Sequence, residues 1–152
     1  MTRSVFPDLK DPQVVHHFGL EVDGINEASF REAAGFENSS DVIEHRESGK
    51  DGKQFISKQP GNLKWADIVL KRGLTDSKAL YDWRKLVVDG KHKAARKSGS
   101  VIFFDSENAE IARFNFVRGW PSKWKGPDVN TTTNAVAIEE ITIVHEGMER
   151  VK

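Results

Sequence analysis

The chain has 152 residues, which fits one domain with one core of ordinary size, and it contains no cysteine. The absence of cysteine excludes disulfide frameworks, thiolate zinc sites, iron–sulfur clusters and thiol nucleophiles. Lysine and arginine together number 23, as do aspartate and glutamate, and the resulting zero net charge disfavours a dedicated nucleic-acid binder while permitting self-association.

The start of the sequence has no cationic segment followed by an apolar stretch, and no run of about 18 apolar residues occurs anywhere. We therefore expect neither an N-terminal secretory signal nor a membrane span. The expected place of synthesis is the cytosol, with any export using a route that reads no N-terminal address.

Residues 1–16 contain two prolines and no clean periodicity, which predicts an extended N-terminal arm. Its apolar side chains need a buried position, so Val5 and Phe6 are candidates for contacts with a neighbouring subunit. Residues 17–152 are expected to form a single mainly β domain.

The sequence of the first part of this domain predicts β-strands. Residues 17–34 read as a β-hairpin, because alternating segments flank the strong turn signal Asp23-Gly24. Residues 41–47 predict a further strand. Residues 63–71 have a β period with apolar side chains on both faces, which indicates that both faces are covered.

Between these strands, residues 48–62 are polar and end in Pro60-Gly61, which predicts a long extended loop. A connection of this length is usually functional or part of an interface. The candidate assembly residues in this loop are Lys50, Lys53, Phe55, Lys58 and Pro60.

One helix is predicted at about residues 76–89, with Thr75-Asp76 as its cap and Gly90 at its end. Its apolar side comprises Leu80, Trp83, Leu86 and Val87. No other segment predicts a helix, so a single helix is expected beside the sheet.

A second hairpin is predicted from residues 100–105 and 110–117. Residues 120–134 follow with no periodicity, and we interpret them as irregular. Trp120 and Trp124 lie in this polar stretch, so they are candidates for interface anchors rather than ordinary core residues.

The last predicted strand, residues 135–145, carries its apolar side chains first on even and then on odd positions. One inserted residue near Glu139-Glu140 would produce this change of phase, which predicts a β-bulge. About seven strands and one helix indicate an antiparallel β-barrel or sandwich, with two-sided strands covered by the helix, the arm or another subunit.

Catalytic and metal-binding patterns are weak. His145-Glu146 resembles the start of a zinc-protease helix, but position 149 is Glu149 instead of the second histidine. Residues 48–53 are rich in glycine and lysine without matching a phosphate-binding loop. We therefore expect no catalytic residues, no metal and no cofactor.

A basic patch at residues 91–97 allows a second interpretation. It would contact phosphate or an acidic protein surface, although a solvated loop is the simpler and favoured account. The alternative to a structural subunit is thus a free-standing binding module that uses residues 48–62 and 91–97. An enzyme with an unfamiliar site is a third alternative, without a motif in its favour.

Seven segments in a consistent order resemble the tail-tube family of contractile phages and of phage-derived extracellular contractile injection systems. The resemblance covers roughly residues 11–151. The segments are residues 18–24 (FGLEVDG), 59–65 (QPGNLKW), 70–75 (LKRGLT), 80–84 (LYDWR), 112–116 (ARFNF), 120–124 (WPSKW) and 137–147 (AIEEITIVHEG).

The resemblance implies hexameric rings of antiparallel β-barrels that stack into a hollow tube, with one helix outside each barrel. It implies a contracting sheath around the tube, baseplate or spike and tube-terminator proteins at its ends, and protein or DNA cargo in the lumen. Type VI secretion tubes share this architecture, but the segments are closer to the phage and extracellular group. The family has no catalytic residues, and residues 48–62 correspond to the segment that contacts neighbouring rings.

Overall fold

A computed structural model describes residues 11–130, 132 and 136–152 of the protein. The candidate residues Val5 and Phe6 lie outside these described residues, as does most of the expected N-terminal arm. The mainly β, antiparallel fold predicted from the sequence is confirmed.

Ten strands and two helices make up the described part of the chain. The strands are β1 (His17–Val22), β2 (Ile25–Phe30), β3 (Glu32–Ala34), β4 (Asn38–Ser48), β5 (Gln54–Trp65), β6 (Ile68–Gly73), β7 (Lys97–Phe104), β8 (Glu110–Lys125), β9 (Ile138–Val144) and β10 (Gly147–Arg150). The helices are α1 (Ala79–Val88) and α2 (His92–Ala95).

Eight strands form one curled sheet in the order β2-β1-β7-β8-β9-β6-β3, with β10 pairing to β8. The two ends of this order, β2 and β3, are consecutive in the chain and are separated only by Arg31. The Arg31 N–H donates to the Lys71 carbonyl of β6 at 2.9 Å. The sheet therefore curls into an open barrel. Its two end strands, β2 and β3, are connected through the backbone of Arg31 but do not pair with each other.

The core lies inside this curl, where apolar side chains alternate with outward-facing ones. On β6, Ile68 and Leu70 are fully buried, and on β9 so are Ile141 and Ile143. The largest core side chains come from β2, β8 and α1, namely Phe30, Phe116 and Trp83. Burial of such side chains stabilises a fold by about 1.5–3 kcal/mol each.

Helix α1 begins at Ala79, three residues later than predicted, and its N-terminus has no side-chain cap. The prediction of a Thr75-Asp76 cap is therefore wrong. Its C-terminus behaves as expected, because Gly90 has left-handed backbone with a φ of +80°. The Gly90 N–H donates to the Val87 carbonyl, and the Lys91 N–H donates to the Leu86 carbonyl.

The sequence predicted one helix, and the structure adds the short α2 in the basic connection. Trp83 joins the two helices, because its Nε1–H donates to the Ala95 carbonyl at 2.7 Å. The apolar side of α1 is correct, with Leu80 and Trp83 buried and Lys85 exposed.

Two strand predictions need correction. The expected strand 63–71 is two strands, because β5 ends at Trp65 and β6 begins at Ile68. The stretch expected to be irregular after residue 119 continues β8 as far as Lys125. Here tertiary pairing with β9 imposes the strand conformation that residue periodicity does not indicate.

The predicted bulge at Glu139-Glu140 is also wrong. The register between β6 and β9 runs without a shift, and the irregularity lies instead on β8 between Pro121 and Lys123. The change of phase has another cause: Glu139 faces inward together with Ile141 and Ile143. A carboxylate occupies a position where an apolar residue was expected.

Candidate assembly interface

The predicted loop at residues 48–62 forms the turn and most of the second strand of a long two-stranded hairpin. Strands β4 and β5 pair from Asn38 opposite Trp65 to Ser48 opposite Gln54. A tight turn closes the tip, where the Gly49 N–H donates to the Lys53 carbonyl at 2.8 Å. We call residues 38–65 the hairpin.

The hairpin leaves the barrel at a close backbone crossing. Gly35 has φ +97°, and a Cβ at this position would lie 1.9 Å from the Asp67 carbonyl oxygen. Only glycine fits so tight an approach. The Ala66 N–H donates to the Glu37 carbonyl at 3.3 Å, which holds the two strands together at the base.

The hairpin is exposed along its whole length. Every residue of β4 is exposed, and β4 and β5 pack mainly against each other. The exposed apolar side chains of the hairpin are Val42, Ile43, Phe55, Ile56 and Leu63. An isolated two-stranded hairpin is at best marginally stable in water, and the described residues supply no further packing for this one.

The register assigns the side chains of the hairpin to two faces, since directly opposed residues of an antiparallel pair share a face. Glu44 lies opposite Lys58 on one face. Glu47 lies opposite Phe55 on the other, which we call the Phe55 face. The Phe55 face thus combines an aromatic side chain with a carboxylate.

The five candidate residues of the predicted loop therefore come together on the hairpin. Lys50 and Lys53 lie at or beside its tip, and Phe55, Lys58 and Pro60 lie in β5, all of them exposed. Pro60 has no N–H to donate, which is tolerated because β5 is an edge strand of its two-stranded sheet.

Trp120 and Trp124 lie away from the hairpin, on β8 beside the helices. The Trp124 ring contacts the Tyr81 ring at a centroid distance of 5.1 Å, and its Nε1–H donates to Glu139 at 2.9 Å. Trp120 is half-buried and lines a small cavity with Ala95. Both have partners within the chain, and their role between subunits stays a prediction.

A buried polar network that sequence analysis did not identify lies at one end of the barrel. Arg72 is 2% exposed and donates to Glu27 at 2.6 Å and to Glu139 at 3.4 Å. The Ser77 hydroxyl donates to the other oxygen of Glu27. The one signal in the sequence was the change of phase at Glu139.

A groove opens beside this network, next to β3, β6 and β9. It encloses a cavity of 420 Å³ whose lining includes Leu74, Val136 and Ile138. These three side chains are 52%, 70% and 53% exposed. Arg31 and Arg72 also line the cavity, so the groove is apolar with a cationic border. We call it the acceptor groove.

One cluster of charged side chains lies on the outside of the sheet, between β8 and β1. The side-chain hydrogen bond from Arg113 to Glu110 raises the pKa of Arg113, with a smaller contribution from Glu21. Arg113 is 3.3 Å from Glu21. The guanidinium thus links β8 to β1 on the outside of the sheet and stays charged throughout the usual pH range.

No arrangement suited to metal binding occurs in residues 11–130 or 136–152. His145, which the sequence raised as a ligand, is buried, and its Nε2 lies 3.0 Å from the Ala66 carbonyl. Neither described helix has the length and apolar character of a membrane-crossing segment.

The sequence profile of the T4-like virus tail tube protein gp19 family matches residues 14–149. The chain belongs to this tail tube family. Nearly the whole tail tube domain is covered, from before β1 to within β10. A comparison with proteins of curated function finds no match.

Solved structures show the same fold. A chain of the sheath–tube complex of the extracellular contractile injection system PVC, in its extended state, superposes with a TM-score of 0.71 at 21% identity, covering 98% of each chain. A chain of the anti-feeding prophage baseplate gives 0.72 at 17% identity, covering 94% of this chain and 97% of the other. Hcp1 from Flavobacterium johnsoniae gives 0.53 at 19% identity, with 89% and 94% covered.

Proposed function

We propose that copies of this tail tube protein form homohexameric rings that stack into a hollow inner tube. Contraction of a surrounding sheath drives this tube through a target envelope. The observation that carries the proposal is the hairpin, which exposes apolar side chains on a two-stranded sheet in a chain of the tail tube family.

In such an assembly, neighbouring subunits would cover the hairpin, which the described residues of its own chain leave exposed. Contacts between subunits bury exposed apolar area and stabilise the assembly by about 25 cal/mol per Å² removed from water. Closed rings also remove the exposed strand edges that otherwise promote uncontrolled aggregation. The zero net charge of the chain leaves little self-repulsion to oppose such packing.

The proposed partners are the sheath, baseplate or spike and tube-terminator proteins, and the proposed lumen carries a protein effector or DNA. The similar structures include a chain of a sheath–tube complex and a chain of a baseplate, which supports these partners. We propose assembly in the bacterial cytoplasm, followed by function in a phage tail or an extracellular tail-like particle. The protein's role is structural and not catalytic.

The direct test is electron microscopy of the purified protein, combined with sedimentation over micromolar concentrations. Six-fold rings and tubes are expected. A single 17.1 kDa species at all concentrations would contradict the proposal.

A matched variant assigns stacking to the hairpin. Residues 45–57 are removed, and Glu44 is joined to its opposite residue Lys58 through an Asn-Gly turn. Because these residues contribute little to the barrel core, the shortened protein should fold and form rings without tubes. Loss of the folded subunit would show that the hairpin belongs to the core.

A free-standing binding module is the second candidate, favoured by one observation. In the described part of the chain, Lys91, Lys93 and Arg96 are exposed and make no ion pair, and Arg96 lines the small cavity that contains Trp120. This candidate predicts a monomer that binds an acidic peptide such as polyglutamate. Tubes in the microscope would favour the first candidate.

A further inference from the structure

We propose that the acceptor groove receives the Phe55 face of the hairpin from a second copy of this chain, with Phe55 in the cavity and Glu47 paired to Arg31. This inference rests on the proposed function, and it names the two surfaces that join successive subunits. Each surface is described on its own above, and the described residues of the same chain cover neither of them.

The groove has the size and the lining for an aromatic side chain. Its volume of 420 Å³ lies in the range of about 300–1,000 Å³ that encloses small organic ligands. Leu74, Val136 and Ile138 supply an apolar wall that is more than half exposed. Insertion of an aromatic anchor would remove this wall from water, as anchors at interface centres do.

The border of the groove carries more positive than negative charge, because Arg31, Lys71 and Arg72 line it together with Glu32. Lys71 is 3.6 Å from Glu32, and Arg72 is paired with Glu27 and Glu139. Arg31 is exposed and forms no ion pair with any described residue. The border therefore suits an occupant that brings a carboxylate to Arg31.

The Phe55 face brings both features in one unit. Phe55 is 51% exposed, and Glu47 is its direct cross-strand neighbour, with no ion pair among the described residues. Opposed residues of an antiparallel pair lie about 5 Å apart at Cβ. One hairpin can therefore place an aromatic ring in the cavity and a carboxylate at its cationic border.

Charge complementarity selects this face over the other one. The opposite face places Lys58 directly across from Glu44, so that face carries both signs of charge. On the Phe55 face, Glu47 lies opposite an apolar ring and is available to Arg31 of another copy. A hairpin folded back onto its own groove is not what the structure shows, since β4 is exposed throughout.

The test is a charge swap read by tube formation. Glu47→Arg and Arg31→Glu are made singly and together, and the lowest subunit concentration that forms tubes is measured by sedimentation and electron microscopy. Each single variant should raise this concentration about tenfold or more, because each leaves like charges facing across the contact. The double variant should return to within about threefold of the unaltered protein.

Two further variants separate docking from folding. Phe55→Ala should block tubes, while Glu44→Gln, on β4 like Glu47 but on the opposite face of the hairpin, should form them at nearly the normal concentration. Circular dichroism melts of dispersed subunits should be unchanged in every variant, because all four positions are exposed.

Failure of the inference is distinguishable from failure of the proposed function. Tubes from the unaltered protein, together with a double variant as defective as its worse single variant, overturn the pairing and leave the tube intact. If deletion of residues 1–10 then abolishes tubes, the arm occupies the groove instead. No rings or tubes from the unaltered protein overturn both proposals.

Discussion

The barrel and the hairpin use the same secondary structure in opposite ways. Along β6 and β9, buried residues alternate strictly with more exposed ones. Along β4, every residue is exposed although the strand is eleven residues long. The barrel strands form because their inner faces meet a core, and the hairpin strands have only each other.

This difference indicates which contacts stabilise the isolated subunit and which contribute to assembly. The barrel contains the buried apolar clusters and the Arg72 network, so substitutions there should act on the isolated subunit. The hairpin contains exposed apolar side chains, so substitutions there should act on assembly alone. The predictions below test this division. They are given in order of decreasing expected effect on the free energy of unfolding of the subunit.

Trp83→Ala should lower the free energy of unfolding by about 3–5 kcal/mol, because it empties a position that is 2% exposed and removes the bond to Ala95. Lys85→Ala, two residues along α1 and exposed, should change it by less than about 0.5 kcal/mol. Denaturant melts measure both, on dispersed subunits kept below the concentration at which rings form, so that assembly adds no stability. Equal losses would mean that α1 is not docked as described.

Arg72→Met should cost roughly 3 kcal/mol or more, since it leaves Glu27 and Glu139 as carboxylates without their buried cation. Adding Glu139→Leu should recover part of this loss, because the unpaired charge is then removed as well. The same melts test this order. A double variant less stable than Arg72→Met would show that Glu139 acts mainly through Trp124.

Arg113→Met should cost at most about 1 kcal/mol, since its partners Glu110 and Glu21 are partly exposed and solvent screens the pairs. The raised pKa of Arg113 means that this contribution is present below the ordinary arginine pKa and lost only at higher, strongly alkaline pH. Melts at pH 5 and pH 9 should therefore give the same difference, and high salt should reduce it.

Phe55→Ser should leave the unfolding free energy of the dispersed subunit within about 0.5 kcal/mol of its normal value. The reason is that Phe55 is half exposed on a hairpin that packs mainly against itself. Its effect should appear in tube formation instead. A loss above about 2 kcal/mol in the dispersed subunit would place Phe55 in the core and remove the division between the two regions.

Local sequence patterns predicted the elements whose contacts are local. Asp23-Gly24 marks the first hairpin correctly, and α1 ends at Gly90 through hydrogen bonds between residues at most five apart. The alternation and turn signals of residues 100–117 predict the β7–β8 hairpin for the same reason.

The errors arise where distant residues decide the structure. Glu139 faces inward only because Arg72, 67 residues away, neutralises it, and this inward carboxylate was interpreted as a bulge. The second half of β8 is a strand because β9 pairs with it. Residues 48–62 were predicted as a loop because neither face of β5 is buried, so its sequence lacks the two-residue alternation of a strand on a core.

Hydrogen–deuterium exchange tests the central claim most directly, because it reports the opening of each segment separately. Amides of β4 and β5 are compared with those of β6 and β9 in dispersed subunits and in assembled tubes. We predict that β6 and β9 are protected in both states, and that β4 and β5 become protected only in tubes. Hairpin amides as protected as the barrel in dispersed subunits would contradict the account.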